Sequence, residues 1–323
     1  MKLKNKCIAV SKTNHIGDVA ISLPVLTLIK KAEPDCHLIF FGKGVACDVA
    51  KMHMLVDDVI NWEDIESAEN PSLALARLQI DIFIQLNPCK RAACIVKNAQ
   101  VAIRIGSGYR LYNWYYCNRL AFIPRRALNK RQLDIAYLKQ LAIDTNISES
   151  EIGELYTLKS IPLRDSIYEL LSPNKFNLVI HPGAVTTNLD RWPIAKYLEL
   201  INSLDKQKIR VFISGTKEDY KDYQQLIIDN DDVVNLMGEM TLLEFFSFLA
   251  KVDGFVAGST GPLHLASAQD TRTIGLYCSN KNYIKRWHPL GSKSLIIKSL
   301  KVADIPTSQV LNAINQWIKE STL

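Results

Sequence analysis

Between Ile82 and Leu133 the chain has no aspartate or glutamate. Lys90, Arg91, Lys97, Arg104, Arg110, Arg119, Arg125, Arg126, Lys130 and Arg131 all stand in that gap. The net charge is only +6 over 323 residues, so the distribution says more than the total. A block of this kind favours an anionic partner. No apolar run reaches the roughly 18 residues of a membrane-spanning helix. The basic start Met1-Lys2-Leu3-Lys4-Asn5-Lys6 is followed only by Cys7-Ile8-Ala9-Val10. That is too short for a signal peptide and reads as a first strand. The seven cysteines contain no Cys-x-x-Cys pair, which argues against a disulfide framework and fits the reduced thiols of a cytoplasmic protein. The six histidines are dispersed and lack metal-ligand spacing, so no metal and no cofactor is expected. Neither G-x-x-x-x-G-K-[ST] nor G-x-G-x-x-G occurs, which weakens the P-loop and standard dinucleotide readings. Asp229-Asn230-Asp231-Asp232 resembles a carboxylate metal site but precedes a strand. It reads as a helix-to-strand turn.

What is present is an alternation of strand and helix patterns. Hydrophobic residues make up 48% and charged residues 22% of the chain, a globular composition. In the first half, strands at 6–10, 37–41, 58–61, 81–85 and 101–105 alternate with helices at 19–31, 45–52, 71–79, 91–97 and 132–143. Residues 144–175 break the rhythm with turn-rich sequence. It then restarts, with strands at 177–180, 209–214, 233–236, 254–257, 273–277 and 294–298. The helices between them fall at 193–204, 218–228, 242–250, 262–268 and 308–319. The pattern predicts an α/β protein of two Rossmann-like domains, 1–160 and 161–323, each a parallel sheet covered by helices. Ligands in such sheets sit beyond the carboxyl ends of the strands, so two halves facing one another suit a two-substrate enzyme.

Several strand-end loops carry chemistry. In Val252–Ala266 a strand leads through Gly258-Ser259-Thr260-Gly261 into a helix that opens with Pro262. Ser259 or Thr260 can cap that helix, and Pro262 fits its first turn. Free N–H groups at a positive helix end suit a phosphate, although an ordinary strand-to-helix connection has the same look. The loop 181–193 carries hydroxyls at Thr186 and Thr187 and a guanidinium at Arg191 that could hold a phosphate bidentately. Glu218, in the loop 214–218, could accept hydrogen bonds from a ribose or simply start a helix. Asp18, after the first strand, is an N-cap candidate and also a general-base candidate. In the acid-free block, Tyr109–Arg119 interleaves aromatic and basic residues. It is read as a nucleic-acid face, a membrane-surface patch, an anionic-substrate site or a solvated loop.

Taken in order, Ile16-Gly17-Asp18-Val19-Ala20-Ile21-Ser22-Leu23-Pro24, His181-Pro182-Gly183-Ala184, Arg191-Trp192-Pro193, Ser214-Gly215 and Gly258-Ser259-Thr260-Gly261-Pro262-Leu263-His264-Leu265-Ala266 resemble the heptosyltransferases of glycosyltransferase family 9. These bacterial enzymes build the lipopolysaccharide core. The resemblance implies a GT-B fold, with the acceptor on the first domain and the nucleotide sugar on the second. It also implies a last helix that packs back on the first domain. It makes Asp18 the catalytic base of an inverting, metal-independent transfer. It assigns Thr186, Thr187, Arg191, Glu218, Met240, Ser259, Thr260, Gly261 and His264 to the donor. Ser259 stands where many members carry aspartate, which puts the usual donor in doubt. On this reading Arg104, Arg110 and Arg119 receive an anionic lipid-linked saccharide at the inner membrane face, and no nucleic acid is involved. A GT-B-fold UDP-sugar epimerase and a non-catalytic nucleotide-sugar or anionic-glycan binding protein are the alternatives.

Overall fold

The apolar runs that punctuate the chain become the inner strands of two parallel sheets. The computed structural model describes residues 4–124, 129–183, 191–228, 230, 232–289 and 291–321. The chain divides into two units, Met1–Lys159 and Ser160–Leu323. In the first, β1 (Cys7–Ser11), β2 (His37–Gly42), β3 (Asp58–Asn61), β4 (Ile82–Gln85), β5 (Ile103–Ser107) and β6 (Arg119–Ala121) lie in the order β3-β2-β1-β4-β5-β6. In the second, β7 (Phe176–His181), β8 (Ile209–Ile213), β9 (Val233–Asn235), β10 (Gly254–Gly258), β11 (Arg272–Cys278) and β12 (Ser294–Ser299) lie in the order β12-β11-β10-β7-β8-β9. All pairs are parallel.

Counted from its own first strand, each sheet has the order 3-2-1-4-5-6 of a doubly wound fold. The direction of winding reverses between the first and fourth strands, which are β1 and β4 in one unit and β7 and β10 in the other. A crevice opens beyond the carboxyl ends of strands at such a switch point, and ligands bind there. The strands flanking it are buried along almost their whole length. That is why they read as unbroken apolar runs rather than as alternating ones.

The helices that bear on the site are α1 (Ile16–Ala32), α2 (Lys90–Asn98), α3 (Leu111–Tyr116), α4 (Lys130–Ile135), α5 (Ile194–Ser203), α6 (Leu242–Leu249), α7 (Gly261–Ala268), α8 (Lys281–Trp287) and α9 (Thr307–Ser321). The sequence predicts a kink or stop at Pro24, yet α1 runs through it. Val19 to Ile29 is buried without a break, and this packing offsets the hydrogen bond that proline removes. The core of the first unit includes an aromatic trio. Phe41 meets Trp62 and Phe83 at 5.5 and 5.6 Å between ring centres, and each such contact adds about 0.5–1.5 kcal/mol beyond burial.

Some elements differ from the sequence expectation, among them α3, which the sequence pattern does not predict. β6 and α8 do not show in the apolar pattern, because β6 is three residues long and α8 has no buried residue. The described buried face of the last helix, α9, lies in the core of the second unit. Val310, Ile314 and Trp317 form its buried stripe, and Trp317 stacks on Phe176 with ring centres 6.3 Å apart.

Candidate functional site

At the β1/β4 switch point, Lys12 to His15 lead from β1 into α1. His15 occupies the N-cap but makes no side-chain cap. Asp18 is therefore the third residue of the helix rather than its cap. A carboxylate there is favoured by the helix dipole. It is half-buried, and its carboxylate has no hydrogen-bond or ion-pair partner among the described residues. One turn on, the Ser22 hydroxyl lies 2.8 Å from the Asp18 carbonyl oxygen and 2.9 Å from Oδ2 of Asp134 on α4. The same Oδ2 accepts from Lys12 Nζ at 3.0 Å, and Lys130 Nζ binds Oδ1. Lys12 and Asp134 are each 1% exposed. Sequence reasoning passed over this cluster. Its one readable sign is that Asp134 is the first carboxylate after the acid-free stretch.

The three arginines assigned to an acceptor differ in circumstance. Arg104 donates to the carbonyl oxygens of Tyr116 and Val101, and Arg119 donates to that of Gln140. Both tie main chain together at the β5–β6 edge. Arg110, at the start of α3, is exposed. Around it Tyr109, Leu111, Trp114, Tyr115 and Phe122 are exposed as well. The rings of Tyr109 and Trp114 each meet Phe122 edge-on, and Lys97 Nζ sits 3.2 Å over the Tyr115 ring.

At the β7/β10 switch point, His181 ends β7 and its Nδ1 lies 3.0 Å from the Ser214 hydroxyl beyond β8. A Cβ on Gly183 would fall 2.6 Å from His181 Nε2, so the turn after β7 needs glycine. Burial pushes the His181 imidazole down to about 4. His53 of the first unit, fully buried beside Thr27, is pushed to about 4 by the same cause. Both rings are neutral in the folded chain and protonate on unfolding below the ordinary value of 6.5. The unfolded state then binds more protons, so stability is full above that value and declines as the pH falls toward 4. The melting temperature is expected to drop between pH 6.5 and 4.5, and less steeply in His53→Gln. A flat profile over that window would contradict neutral burial.

Beyond β10, Thr260 is the N-cap of α7 without a side-chain cap, contrary to the cap expected of Ser259 or Thr260. Its hydroxyl is buried and unpaired among the described residues, and so is Arg191 Nε on the β7–α5 connection. Buried donors without acceptors are rare in folded proteins. Thr260 stands directly before α7, whose first N–H groups have no intrahelical partner, and Arg191 stands on the connection after β7, the strand paired with β10. Together they can take a diphosphate. Ser259 does not cap α7. It accepts a hydrogen bond from the Tyr283 hydroxyl at 3.1 Å. Tyr283, on α8, was missed because that helix lacks an apolar stripe.

His264 is buried in α7. Glu218 is exposed in a turn that Asp219 holds by accepting from the Thr216 N–H and hydroxyl. Met240 is half-buried just before the Thr241 cap of α6. Thr186, Thr187 and Ala184, with Asp229 and Asp231 of the acidic turn, lie outside the described residues. Among the described residues no group of three or more His, Cys, Asp or Glu could hold a metal ion.

A family model described as glycosyltransferase family 9 (heptosyltransferase) matches residues 73–317. The lipopolysaccharide core heptosyltransferase OpsX of Haemophilus influenzae is 22% identical over 285 residues, covering 84% of this chain and 79% of its own. A family 9 glycosyltransferase from Veillonella parvula superposes with a TM-score of 0.85 at 17% identity, covering 99% of both chains. Heptosyltransferase WaaC of Escherichia coli, solved with ADP, gives 0.75 at 18% identity, covering 96% of this chain and 99% of its own.

Proposed function

Because the chain belongs to glycosyltransferase family 9 (heptosyltransferase), we propose that it transfers a heptose from ADP-heptose to an anionic, lipid-linked core saccharide. The observation that carries the donor half is that Thr260 Oγ1, at the start of α7, and Arg191 Nε, on the connection after β7, are buried donors without a partner among the described residues. They bind the donor diphosphate together with the N–H of Gly261, and the family resemblance adds Thr186 and Thr187 to the donor contacts. Glu218 meets the ribose, Met240 the base, and Ser259 and His264 the sugar end. Asp18 accepts the proton of the acceptor hydroxyl as that oxygen attacks the anomeric carbon. ADP leaves from the opposite face, so the centre inverts. Charge developing on the leaving diphosphate is stabilised by Arg191 and the α7 N–H groups, and no metal is needed in this reading.

ADP at about a hundred times its dissociation constant is expected to add roughly 2.7 kcal/mol of stability. This reads as a raised melting temperature that EDTA leaves unchanged. UDP and GDP should shift it less. An equal or larger shift with UDP would replace the proposed base, and no shift with any nucleotide would remove the donor site.

The acceptor half rests on the basic block and on the exposed aromatics around Arg110. No described helix is long and apolar enough to cross a membrane, and the protein works as a peripheral enzyme on the cytoplasmic face. Trp and Tyr favour the membrane–water interface, and basic side chains favour anionic lipid. The protein is expected to sediment with phosphatidylglycerol vesicles at low salt and not with phosphatidylcholine vesicles. The double variant Leu111→Ser/Trp114→Ser should lose most of that binding. Equal recovery with both vesicle types, or with the variant, would remove the membrane contact.

A further inference from the structure

The cluster around Asp134 has more positive charge than its single carboxylate answers. Lys12 and Lys130 bind opposite oxygens of the carboxylate. Burial, and Lys12 beside it, push Lys130 down to about 8 although Asp134 pulls the other way. Burial also works against the Asp134 carboxylate, yet the two ammonium groups hold it below its ordinary range. A buried ion pair is seldom more stabilising than apolar side chains of the same volume. Stability alone is therefore a poor reason for three charged groups in this place.

The cluster joins three elements: the loop after β1 through Lys12, α1 through Ser22, and α4 through Lys130 and Asp134. Some helices are fastened locally by a cap, while α2, α3, α5 and α7, like α1, are not. Asn129 with Gln132 makes a capping box for α4, and Thr241 with Glu244 makes one for α6. The start of α1, which carries Asp18, has no side-chain cap. Beside the main-chain bond from the Val19 N–H to the His15 carbonyl, Ser22 ties this turn to α4, its single hydroxyl proton shared between the Asp18 carbonyl and Asp134 as acceptors. Positions four apart lie on one helix face, so the anchorage of Ser22 fixes the rotation and height of Asp18.

We infer that Asp134, held between Lys12 and Lys130, is a positioning residue that sets the Asp18 carboxylate through Ser22. The inference rests on the reading of Asp18 as the base. A misplacement of about 1 Å at a reacting group can cost about a hundredfold in rate, so a clamp of this kind can matter without touching substrate.

The test compares Ser22→Ala and the double variant Lys12→Met/Asp134→Leu, each alone and in an Asp18→Asn background, by single-turnover sugar transfer from ADP-heptose. Alone, Ser22→Ala is expected to lower the rate about tenfold and the double variant by up to about a hundredfold. The donor KM should stay within about twofold, and the melting temperature of Ser22→Ala should be little changed, while that of the double variant falls because Lys130 loses its carboxylate. In the Asp18→Asn background neither should lower the rate further, because the group they position is gone. A folded double variant, or Ser22→Ala, with the wild-type rate would overturn the inference while leaving Asp18 as the base. Losses of full size in the Asp18→Asn background would overturn it too. Wild-type rate in Asp18→Asn alone would remove the base reading and the inference together. Ser22→Ala keeps the test open if the double variant does not fold.

Discussion

Asp18→Asn should lower kcat by about 10² to 10⁴, the usual contribution of a positioned general base. The substitution keeps shape and removes only the proton acceptor. The carboxylate makes no bond or ion pair among the described residues, so its loss leaves no partner stranded. The structural cost is limited to the favourable charge in the first turn of α1, about 0.3–1 kcal/mol. The donor KM should hardly move, since the proposed diphosphate cradle is built from residues of the other unit. Steady-state kinetics on folded protein give the answer. A fall in kcat with unchanged donor KM supports the base. A raised KM with unchanged kcat would make Asp18 a binding group.

Asp134→Ala should have the largest effect on stability, a loss of about 3–5 kcal/mol. Alanine leaves two ammonium groups facing one another with no counter-charge, and Lys12 is 1% exposed. Urea unfolding should show an earlier midpoint for the first unit. Because the chain has two units, its transition need not be all-or-none. A probe in that unit, such as the fluorescence of Trp62 in a background without other tryptophans, is the measurement to follow. A loss below about 1 kcal/mol would mean that water reaches the two lysines and solvates them. The contrast with Lys12→Met/Asp134→Leu is part of the argument. Asp134→Ala strands two ammonium groups, whereas the double variant strands only Lys130, so it should cost less.

The inner strands were legible because parallel strands buried on both faces must be apolar throughout. Ile82-Phe83-Ile84 and Leu178-Val179-Ile180 have no other economical reading. Arg119-Leu120-Ala121 carries no such signal, and its pairing to β5 is set by the sheet. Asp18 was read as a possible N-cap and stands instead as the third residue of α1, since a helix start is uncertain by a turn until the backbone is seen. The basic block was visible as a missing sign of charge. Sequence could not show that Arg104 and Arg119 donate to carbonyl oxygens, because those partners are main-chain atoms common to every residue. The Lys12–Asp134 pair was hidden for a related reason: its members are far apart in the chain, and neither belongs to a recognisable spacing. The stripe of Val310, Ile314 and Trp317 on the last helix was readable in the sequence as a buried face, and it lies in the core of the second unit.

The strand order also has a consequence in time. In the first unit Ile8 pairs with Ile82, and in the second Leu178 pairs with Gly254. In each, the innermost strand waits for a partner about 75 residues downstream. At roughly 5–20 residues per second of synthesis, that wait is about 4–15 s. Through it, one edge of a strand as apolar as Ile8-Ala9-Val10 has nothing to pair with. Exposed edges of this kind are where nascent chains associate wrongly. The interval occurs twice, so the period of greatest risk during synthesis recurs when the second unit emerges.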